Sequence, residues 1–337
     1  MTEGTKVRLG LVGLGNQGHE HLEGQRLSEK VEFVAGFDVD RELSKRVCEE
    51  FGIRNHQNLE SLLEDPEVEG LVLALAHHVY PKIWPDLVKS GKPILKEKPL
   101  GRNLAEATFL IESARTMGCP LVTAIQRREH ESYRYLKESL GGQKVSSVSA
   151  RMFLGFDSSV TPLGWRGNPT LSGGGILLDA GYHMVDLVQY FLGPITLVSA
   201  ILRDSQGRPA TPDILEKDAE LLACRGNTWI RIACYLSGRT NQGGGKEKFE
   251  EVIIDTEEGQ FRADRSHVWG PDGDMREFAH DWREAMARQL DSFGDRIQRD
   301  NFDDSTVWTQ MPAMSIIENS YAQSRFLGSI FSKEGNA

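Results

Sequence analysis

Three ionisable residues lie on an otherwise apolar segment in the middle of the chain. Asp179, His183 and Asp186 are spaced by four and three residues, so in a helix their side chains share one face. Such groups must be paired or must face a polar cavity, because burying an unpaired charge is costly. Histidine, with an ordinary pKa of about 6.5, is suited to take a proton from a hydroxyl group.

We therefore predict that His183 acts as general base and acid, with Asp179 orienting it or gripping a substrate. Asp186 would support the imidazole from its other side or cap a neighbouring element. The alternative is that His183 is a structural core histidine. The preceding Gly173-Gly174-Gly175 allows the backbone to approach a ligand closely, or only forms a tight turn.

A second candidate segment is Lys96-Glu97-Lys98-Pro99-Leu100, at the end of the fifth predicted strand. Ligands of open α/β sheets bind at the carboxyl ends of the strands, so Lys98 is predicted to face a bound ligand. Pro99 permits a cis peptide before it. The alternative is a solvated basic loop.

The glycine pattern Gly13, Gly15 and Gly18 follows a strand-like run, and Asp38 closes the next one. In this order of strand, turn, helix, strand and acid, the pattern predicts a dinucleotide site with its phosphates at a helix N-terminus. The Asp38 carboxylate would accept hydrogen bonds from the adenosine ribose and repel a 2′-phosphate, which favours NAD. NADP stays open because Arg41 could reach a phosphate, and Asp38 could also be an ordinary turn residue.

The residues predicted to contact the cofactor are Gly13, Gly15, Asn16, Gln17, Gly18, Asp38, Arg41, Ala76, His77, Glu97 and Lys98. Those predicted to contact a substrate are Tyr80, Gln126, Arg127, Trp165, Arg166, Asp179 and His183. An aromatic face beside a guanidinium, as at Trp165-Arg166, suits polyhydroxylated ligands. A structural ion pair is the alternative for residues 126–128. His19 and His21 are expected on the surface of the first helix.

Strands and helices alternate up to Ile125, which predicts a parallel sheet with right-handed crossovers in a first domain, residues 1–125. Longer strands then follow one another, which favours an α+β domain built on a mainly antiparallel sheet, residues 126–337. Helices are predicted over residues 275–297 and 311–326. A hairpin loop is expected at residues 240–248.

The composition excludes several classes of function. The chain has 337 residues, with 39 basic and 49 acidic side chains and a net charge of -10, and no basic stretch suits nucleic acid. The four cysteines lack metal-type spacing, so we expect no metal site and a reduced, cytoplasmic location. No segment reaches the roughly 20 apolar residues of a membrane span, and the early first strand leaves no room for a signal peptide.

The motifs resemble those of the glucose-fructose oxidoreductase, inositol dehydrogenase and MocA-like family. The likeness covers nearly the whole chain. It is carried by the glycine loop, Glu97-Lys98-Pro99, Gln126-Arg127-Arg128, and the triple glycine with the Asp-x-Gly-x-His-x-x-Asp pattern that begins at Asp179. One departure is Leu75-Ala76-His77-His78-Val79-Tyr80, where the family often reads Thr-Pro-x-x-x-His.

The resemblance implies a Rossmann domain followed by a substrate-binding domain whose open sheet builds homodimers or homotetramers. It also implies that Lys98, Asp179 and His183 are the catalytic set, with Lys98 hydrogen-bonding the reacting oxygen and His183 moving the proton. We therefore expect an NAD(P)-dependent oxidoreductase that transfers a hydride between nicotinamide and a secondary alcohol of a sugar, cyclitol or derivative. The alternatives are a glycosidase that works by transient oxidation and a non-catalytic dinucleotide-binding regulator.

Overall fold

The computed structural model describes residues 5–155, 163–210, 215–237, 248–279, 281–302 and 308–334. The predicted hairpin loop at residues 240–248 lies outside this range, apart from Lys248. The chain divides into two compact units, and each is described by itself below.

The first unit comprises Met1–Gly101, Ala105–His130 and Asp281–Gln310, and the second comprises Arg102–Leu104, Glu131–His280 and Met311–Ala337. The division predicted after residue 125 therefore differs from the observed one. Residues 126–130 and 281–310 group with the first unit, because a helix near the end of the chain supplies part of its core.

The first unit is built on a six-stranded parallel sheet with the order β3-β2-β1-β4-β5-β6, as predicted for a Rossmann domain. The strand order reverses between β1 and β4, which is where ligands bind in such sheets. The strands are β1 Val7–Val12, β2 Val31–Phe37, β3 Arg54–Asn55, β4 Gly70–Leu73, β5 Ile94–Glu97 and β6 Leu121–Ala124.

The helices of the first unit pack against this sheet. They are α1 Asn16–Gln25, α2 Arg41–Phe51, α3 Leu59–Leu63, α4 Tyr80–Lys89, α5 Leu104–Thr116 and α9 Trp282–Arg299. Gly52 ends α2 in the left-handed conformation, with φ 67°. Met286, Leu290 and Phe293 of α9 are buried in one cluster with residues of β1 and β2, which is why this late helix belongs to the first unit.

The helix predicted over residues 275–297 begins later than expected. Met275–Glu277 forms a short strand, and the helix starts at Trp282, where the Asp281 carboxylate accepts a hydrogen bond from the Arg283 backbone N–H at 2.9 Å.

The second unit is an eight-stranded sheet with the order β14-β13-β12-β11-β7-β10-β9-β8. All neighbouring strands are antiparallel except β7 and β10, so the prediction of a mainly antiparallel sheet is confirmed. The strands are β7 Val145–Gly155, β8 Thr196–Arg203, β9 Asp218–Arg225, β10 Thr228–Ser237, β11 Lys248–Thr256, β12 Gly259–Ala263, β13 His267–Trp269 and β14 Met275–Glu277.

The helices of the second unit are α6 Glu131–Leu140, α7 Pro169–Ser172, α8 Tyr182–Leu192 and α10 Met311–Glu334. One face of the sheet is buried, with Ala150, Ile230 and Ile232 among its side chains. On the other face, Trp229 of β10 and Leu222 of β9 are exposed, and Leu222 lies opposite Arg231 of β10. No helix in the described part of the chain is long and apolar enough to cross a bilayer.

Candidate active site

Two of the three glycines in the glycine loop lie so close to other backbone atoms that a side chain would not fit. Gly13 has φ 93°, and a Cβ there would lie 2.4 Å from the Ala74 carbonyl oxygen. A Cβ on Gly18 would lie 2.1 Å from the Gly13 oxygen. Gly15 differs, because a Cβ there meets no atom within 4 Å. The open space above Gly15 is where a pyrophosphate would approach the backbone.

The start of α1 also fits an anionic group. Gly15 is the N-cap residue, no side chain caps the helix, and no acidic residue lies in its first turn. The amide groups at Asn16 and Gln17 are therefore at an uncapped, electropositive helix end. Asn16 is exposed, and the Gln17 side chain donates to Glu20 at 3.0 Å.

Asp38 is fixed beside this loop. One carboxylate oxygen accepts a hydrogen bond from the Leu14 backbone N–H at 2.8 Å, and the other accepts one from Asp40 N–H at 2.9 Å. Arg41 is exposed at the first position of α2. The residues present thus fit the adenosine and pyrophosphate parts of a dinucleotide, with a carboxylate where a ribose would lie.

The Glu97-Lys98-Pro99 turn follows β5, two strands from β1 at the same edge of the sheet. The peptide between Lys98 and Pro99 is cis. Glu97 is buried, and its carboxylate contacts His21 Nε2 at 2.9 Å and accepts from the Lys98 backbone N–H at 3.2 Å. The alternative of a solvated basic loop is wrong for Lys96 and Glu97, because both side chains are buried.

His21 was expected on the surface, and this prediction is wrong. Its side chain is fully buried, since α1 turns this face toward the end of β5, where Glu97 binds it. His19 lies on the outer side, with its side chain 41% exposed. The contact with His21 leaves Glu97 as a link between α1 and the turn that carries Lys98.

Tyr80 also differs from its prediction as a substrate contact. The side chain is buried, and its hydroxyl donates to the Leu73 carbonyl at 3.1 Å and accepts from the Leu75 N–H at 3.2 Å. As the first residue of α4 it is turned into the fold, and its hydroxyl is committed to the backbone at the end of β4. This placement contradicts the predicted role.

Four other predicted contacts lie at the carboxyl edge of the parallel sheet. Ala76 is half-buried and His77 is buried in the 3₁₀ turn His77–Val79 after β4. Gln126 is half-buried and Arg127 buried in the 3₁₀ turn Gln126–Glu129 after β6. These positions keep the four residues at the edge where ligands of such sheets bind.

In the second unit the predicted helix around Asp179 begins as a π-helical turn, Leu177–Gly181, which continues into α8. π-helical turns inside helices are frequent at functional sites. Asp179 lies in this turn and is half-buried, and its carboxylate accepts from Arg166 Nε at 3.1 Å. The Arg166 guanidinium carbon lies 4.3 Å from the Trp165 ring centroid. Trp165, Arg166 and Asp179 therefore form one contiguous cluster.

His183 and Asp186 lie on α8 beyond this turn. Their exposed fractions are 4% and 1%, so both are far less accessible than Asp179. An imidazole in such a position is shielded from bulk water.

The start of the π-helical turn is held by Glu216, which sequence reasoning missed. Its carboxylate accepts from the N–H groups of Gly175 and Leu177, each at 2.9 Å, and from the Tyr321 hydroxyl at 2.7 Å. Burial raises the pKa of Glu216 above its usual range. A carboxylate at this position satisfies backbone donors that the helix leaves without intrahelical partners.

The triple glycine is explained by packing within the unit. A Cβ on Gly174 would lie 2.1 Å from the Tyr321 hydroxyl, and one on Gly175 would lie 2.2 Å from the Glu216 carbonyl oxygen. Gly173 has φ 83° and ends α7. The contacts at Gly174 and Gly175 and the turn at Gly173 support the tight-turn interpretation. No sequence motif links Glu216 to the triple glycine, which lies about 40 positions earlier in the chain.

Comparison with known proteins identifies the family. Residues 7–125 match the Gfo/Idh/MocA model described as an oxidoreductase family with an NAD-binding Rossmann fold. Residues 140–222 match the Gfo/Idh/MocA C-terminal domain.

Individual relatives are distant. The chain is 26% identical to myo-inositol 2-dehydrogenase of Thermotoga maritima over 188 residues, which is 56% of this chain and 55% of that protein. It is 24% identical to 1,5-anhydro-D-fructose reductase of Ensifer adhaerens over 202 residues, 59% of this chain and 61% of that protein. The alignments thus span less than two thirds of either relative.

The fold is also that of a solved structure, levoglucosan dehydrogenase in complex with NADH and levoglucosan. The two structures superpose with a TM-score of 0.80 at 17% identity, over 95% of this chain and 98% of the other. The matches in both units, together with the strand order and the glycine loop, show that the chain belongs to the Gfo/Idh/MocA family of oxidoreductases.

Proposed function

We propose that the protein is an NAD-dependent oxidoreductase that interconverts a secondary alcohol and a ketone in a sugar, a cyclitol or a derivative of either. The observation that carries the proposal is the carboxyl edge of the sheet in the first unit, where the open Gly15 loop, Asp38 and Lys98 follow strands β1, β2 and β5 of one sheet. The inositol, anhydrofructose and levoglucosan specificities of the relatives support this class of substrate.

The cofactor would be held by residues of the first unit alone. The amide groups at the start of α1 would bind the pyrophosphate, and Gly15 would allow it to approach. Asp38 would accept hydrogen bonds from the ribose hydroxyls and oppose a 2′-phosphate, which favours NAD over NADP. When bound, the nicotinamide accepts or returns the hydride.

The protein residues supply positioning and proton transfer. Lys98 would donate a hydrogen bond to the reacting oxygen and stabilise the partial negative charge that develops there. His183 would take the hydroxyl proton during oxidation and return it during reduction. Asp179 would orient His183 or hold a substrate hydroxyl.

The Trp165, Arg166 and Asp179 cluster would bind the body of the substrate. An indole ring packs against the apolar face of a sugar ring, while a guanidinium and a carboxylate hydrogen-bond its hydroxyls. Arg166 is 46% exposed and Asp179 is 30% exposed at the side chain, so both remain accessible while paired.

The test is a panel of sugars, inositols and their keto forms, each assayed by the absorbance of reduced nicotinamide with NAD and with NADP. We expect turnover with a polyhydroxylated substrate and a preference for NAD. Absence of turnover with every class, in a preparation that binds NAD, would overturn the proposal. Product analysis with glycosides separates net oxidation from bond cleavage by transient oxidation.

We further propose that the protein is cytoplasmic and forms a homo-oligomer through the exposed face of its eight-stranded sheet. That face combines exposed apolar side chains, including Leu222 and Trp229 at 41% and 57%, with the ion pair of Arg231 and Glu220 at 2.9 Å. Aromatic and arginine side chains are typical of interface centres. Light scattering should give a dimer or tetramer, and Trp229→Glu should shift it toward the monomer. A monomeric wild-type protein would overturn this assignment.

A further inference from the structure

Lys96 is an ionisable residue in an interior strand of a parallel sheet. It lies on β5, between β4 and β6, and its side chain is 1% exposed. Strands in such positions are normally apolar on both faces, and lysine is almost never fully buried unless it is paired. A lysine at this position therefore needs specific partners.

The Lys96 ammonium binds the backbone carbonyls of the two residues that flank Lys98, the residue proposed to contact the substrate. Nζ donates to the carbonyl oxygen of Glu97 at 3.0 Å and to that of Pro99 at 2.7 Å. These two carbonyls flank Lys98 in the chain. One buried ammonium thus binds the backbone immediately before and immediately after the side chain of interest.

The remaining side of the ammonium faces an aromatic ring. Nζ lies 3.8 Å from the centroid of the Tyr80 ring, a distance at which a cation is attracted to the ring face. The Tyr80 hydroxyl in turn bridges Leu73 and Leu75 at the end of β4. Lys96 and Tyr80 together connect the carboxyl ends of β4 and β5.

The charged groups around Lys96 have opposite effects on its pKa. Burial lowers the pKa of Lys96 to about 7, while Glu106 and Glu97 favour its charged form and Lys98 opposes it. The lysine keeps at least two N–H donors in either protonation state, so both carbonyl contacts can persist on deprotonation.

We propose that Lys96 is a positioning residue that fixes the turn at residues 97–99 and so directs the Lys98 ammonium to the reacting oxygen. This inference rests on the proposed function of Lys98. It assigns to Lys96 no contact with substrate or cofactor, and its effect is transmitted through the backbone of the turn.

The chain offers a matched control at the other end of the same strand. Lys92 precedes β5, and its Nζ also donates to two backbone carbonyls, those of Asp65 at 3.0 Å and Val68 at 2.5 Å. Burial lowers the pKa of Lys92 as well. Lys92→Met therefore removes a comparable pair of hydrogen bonds to backbone carbonyls, at the edge of the sheet opposite to the proposed site.

The experiment compares wild type, Lys96→Met and Lys92→Met by three measurements. These are hydrogen exchange of the amides of residues 97, 98, 100 and 101, the dissociation constant for NAD, and kcat with the best substrate of the panel. For Lys96→Met we expect exchange of this segment to accelerate at least about tenfold and kcat to fall at least about tenfold, with NAD affinity within about twofold of wild type. Lys92→Met should change neither this exchange nor kcat.

The outcomes separate this inference from the proposed function. Unchanged exchange in Lys96→Met overturns the inference that Lys96 fixes the turn. Accelerated exchange with unchanged kcat overturns the inference that this turn positions Lys98 for catalysis. Equal effects in both variants also overturn it, because they indicate general destabilisation. If wild type has no turnover, the proposed function fails, and the exchange measurement still decides whether Lys96 fixes the turn. If Lys96→Met does not fold, Lys96→Gln replaces it, since its amide can donate to one of the two carbonyls.

Discussion

Alanine substitutions at the three glycines of the first loop should separate effects on stability from effects on cofactor binding. In Gly15→Ala the added Cβ meets no protein atom within 4 Å, and the backbone has an ordinary φ of -66°. We therefore expect the free energy of unfolding to change by less than about 1 kcal/mol. The same methyl would occupy the space of the pyrophosphate, so NAD affinity should fall at least about 100-fold, or about 2.7 kcal/mol.

Alanine at Gly13 or Gly18 should, in contrast, lower the free energy of unfolding. In Gly18→Ala the Cβ would lie 2.1 Å from a backbone oxygen that cannot move aside as a side chain would. Overpacking of this kind costs about 1 to 3 kcal/mol. Gly13→Ala adds the strain of φ 93°, roughly 1 to 2 kcal/mol more, to a Cβ contact of 2.4 Å.

The assay is urea unfolding of the free protein together with calorimetric titration with NAD. Gly270→Ala is the control, because its Cβ would meet only one atom, the Asp274 oxygen, at 3.9 Å and its φ is not in the left-handed region. It should change neither quantity. Wild-type NAD affinity in Gly15→Ala, or a loss of stability there as large as in Gly18→Ala, would refute the placement of the pyrophosphate over this loop.

Three further predictions concern single side chains. Asp38→Asn removes the charge that opposes a 2′-phosphate, so kcat/KM for NADP relative to NAD should rise at least about tenfold, and an unchanged ratio would contradict the role of Asp38. Arg166→Ala should raise KM for the alcohol several-fold with NAD affinity unchanged, whereas a changed NAD affinity and normal KM would place Arg166 elsewhere. Burial lowers the pKa of Lys96 from 10.5 to about 7 in the folded protein, so between these values the unfolded chain holds the extra proton and stability rises with pH. The free energy of unfolding of wild type relative to Lys96→Met should therefore increase by up to about 1.4 kcal/mol per pH unit between about pH 7.5 and 9.5, and a flat difference would contradict the burial of this ammonium.

The general architecture could be predicted because strand and helix signals are local. Apolar runs such as β1 and β2, with glycine at helix ends, predict the parallel sheet, and the longer strands after it predict the second unit. Local signals did not predict which unit α9 joins, since that depends on burial of Met286, Leu290 and Phe293 against residues more than 200 positions away.

The candidate site was predictable where a residue type and its position both carry information. Gly15, Asp38 and Lys98 lie at the carboxyl edge of the sheet, where the motif places them. Tyr80 was misassigned because its position after β4 does not reveal that its side chain turns inward. His21, Lys96 and Glu216 were missed or misplaced because their roles come from tertiary partners, and the π-helical turn at Asp179 has no sequence period of its own.

The most direct test of the account is the rate of hydride transfer in single turnovers of wild type, Lys98→Met, His183→Ala and the double variant, each saturated with NAD. The account predicts that each single variant is slower by at least about 100-fold with NAD affinity preserved, and that the double variant is little slower than the slower single one, because the two groups act in one step. A near-normal rate in either single variant with NAD bound would contradict it.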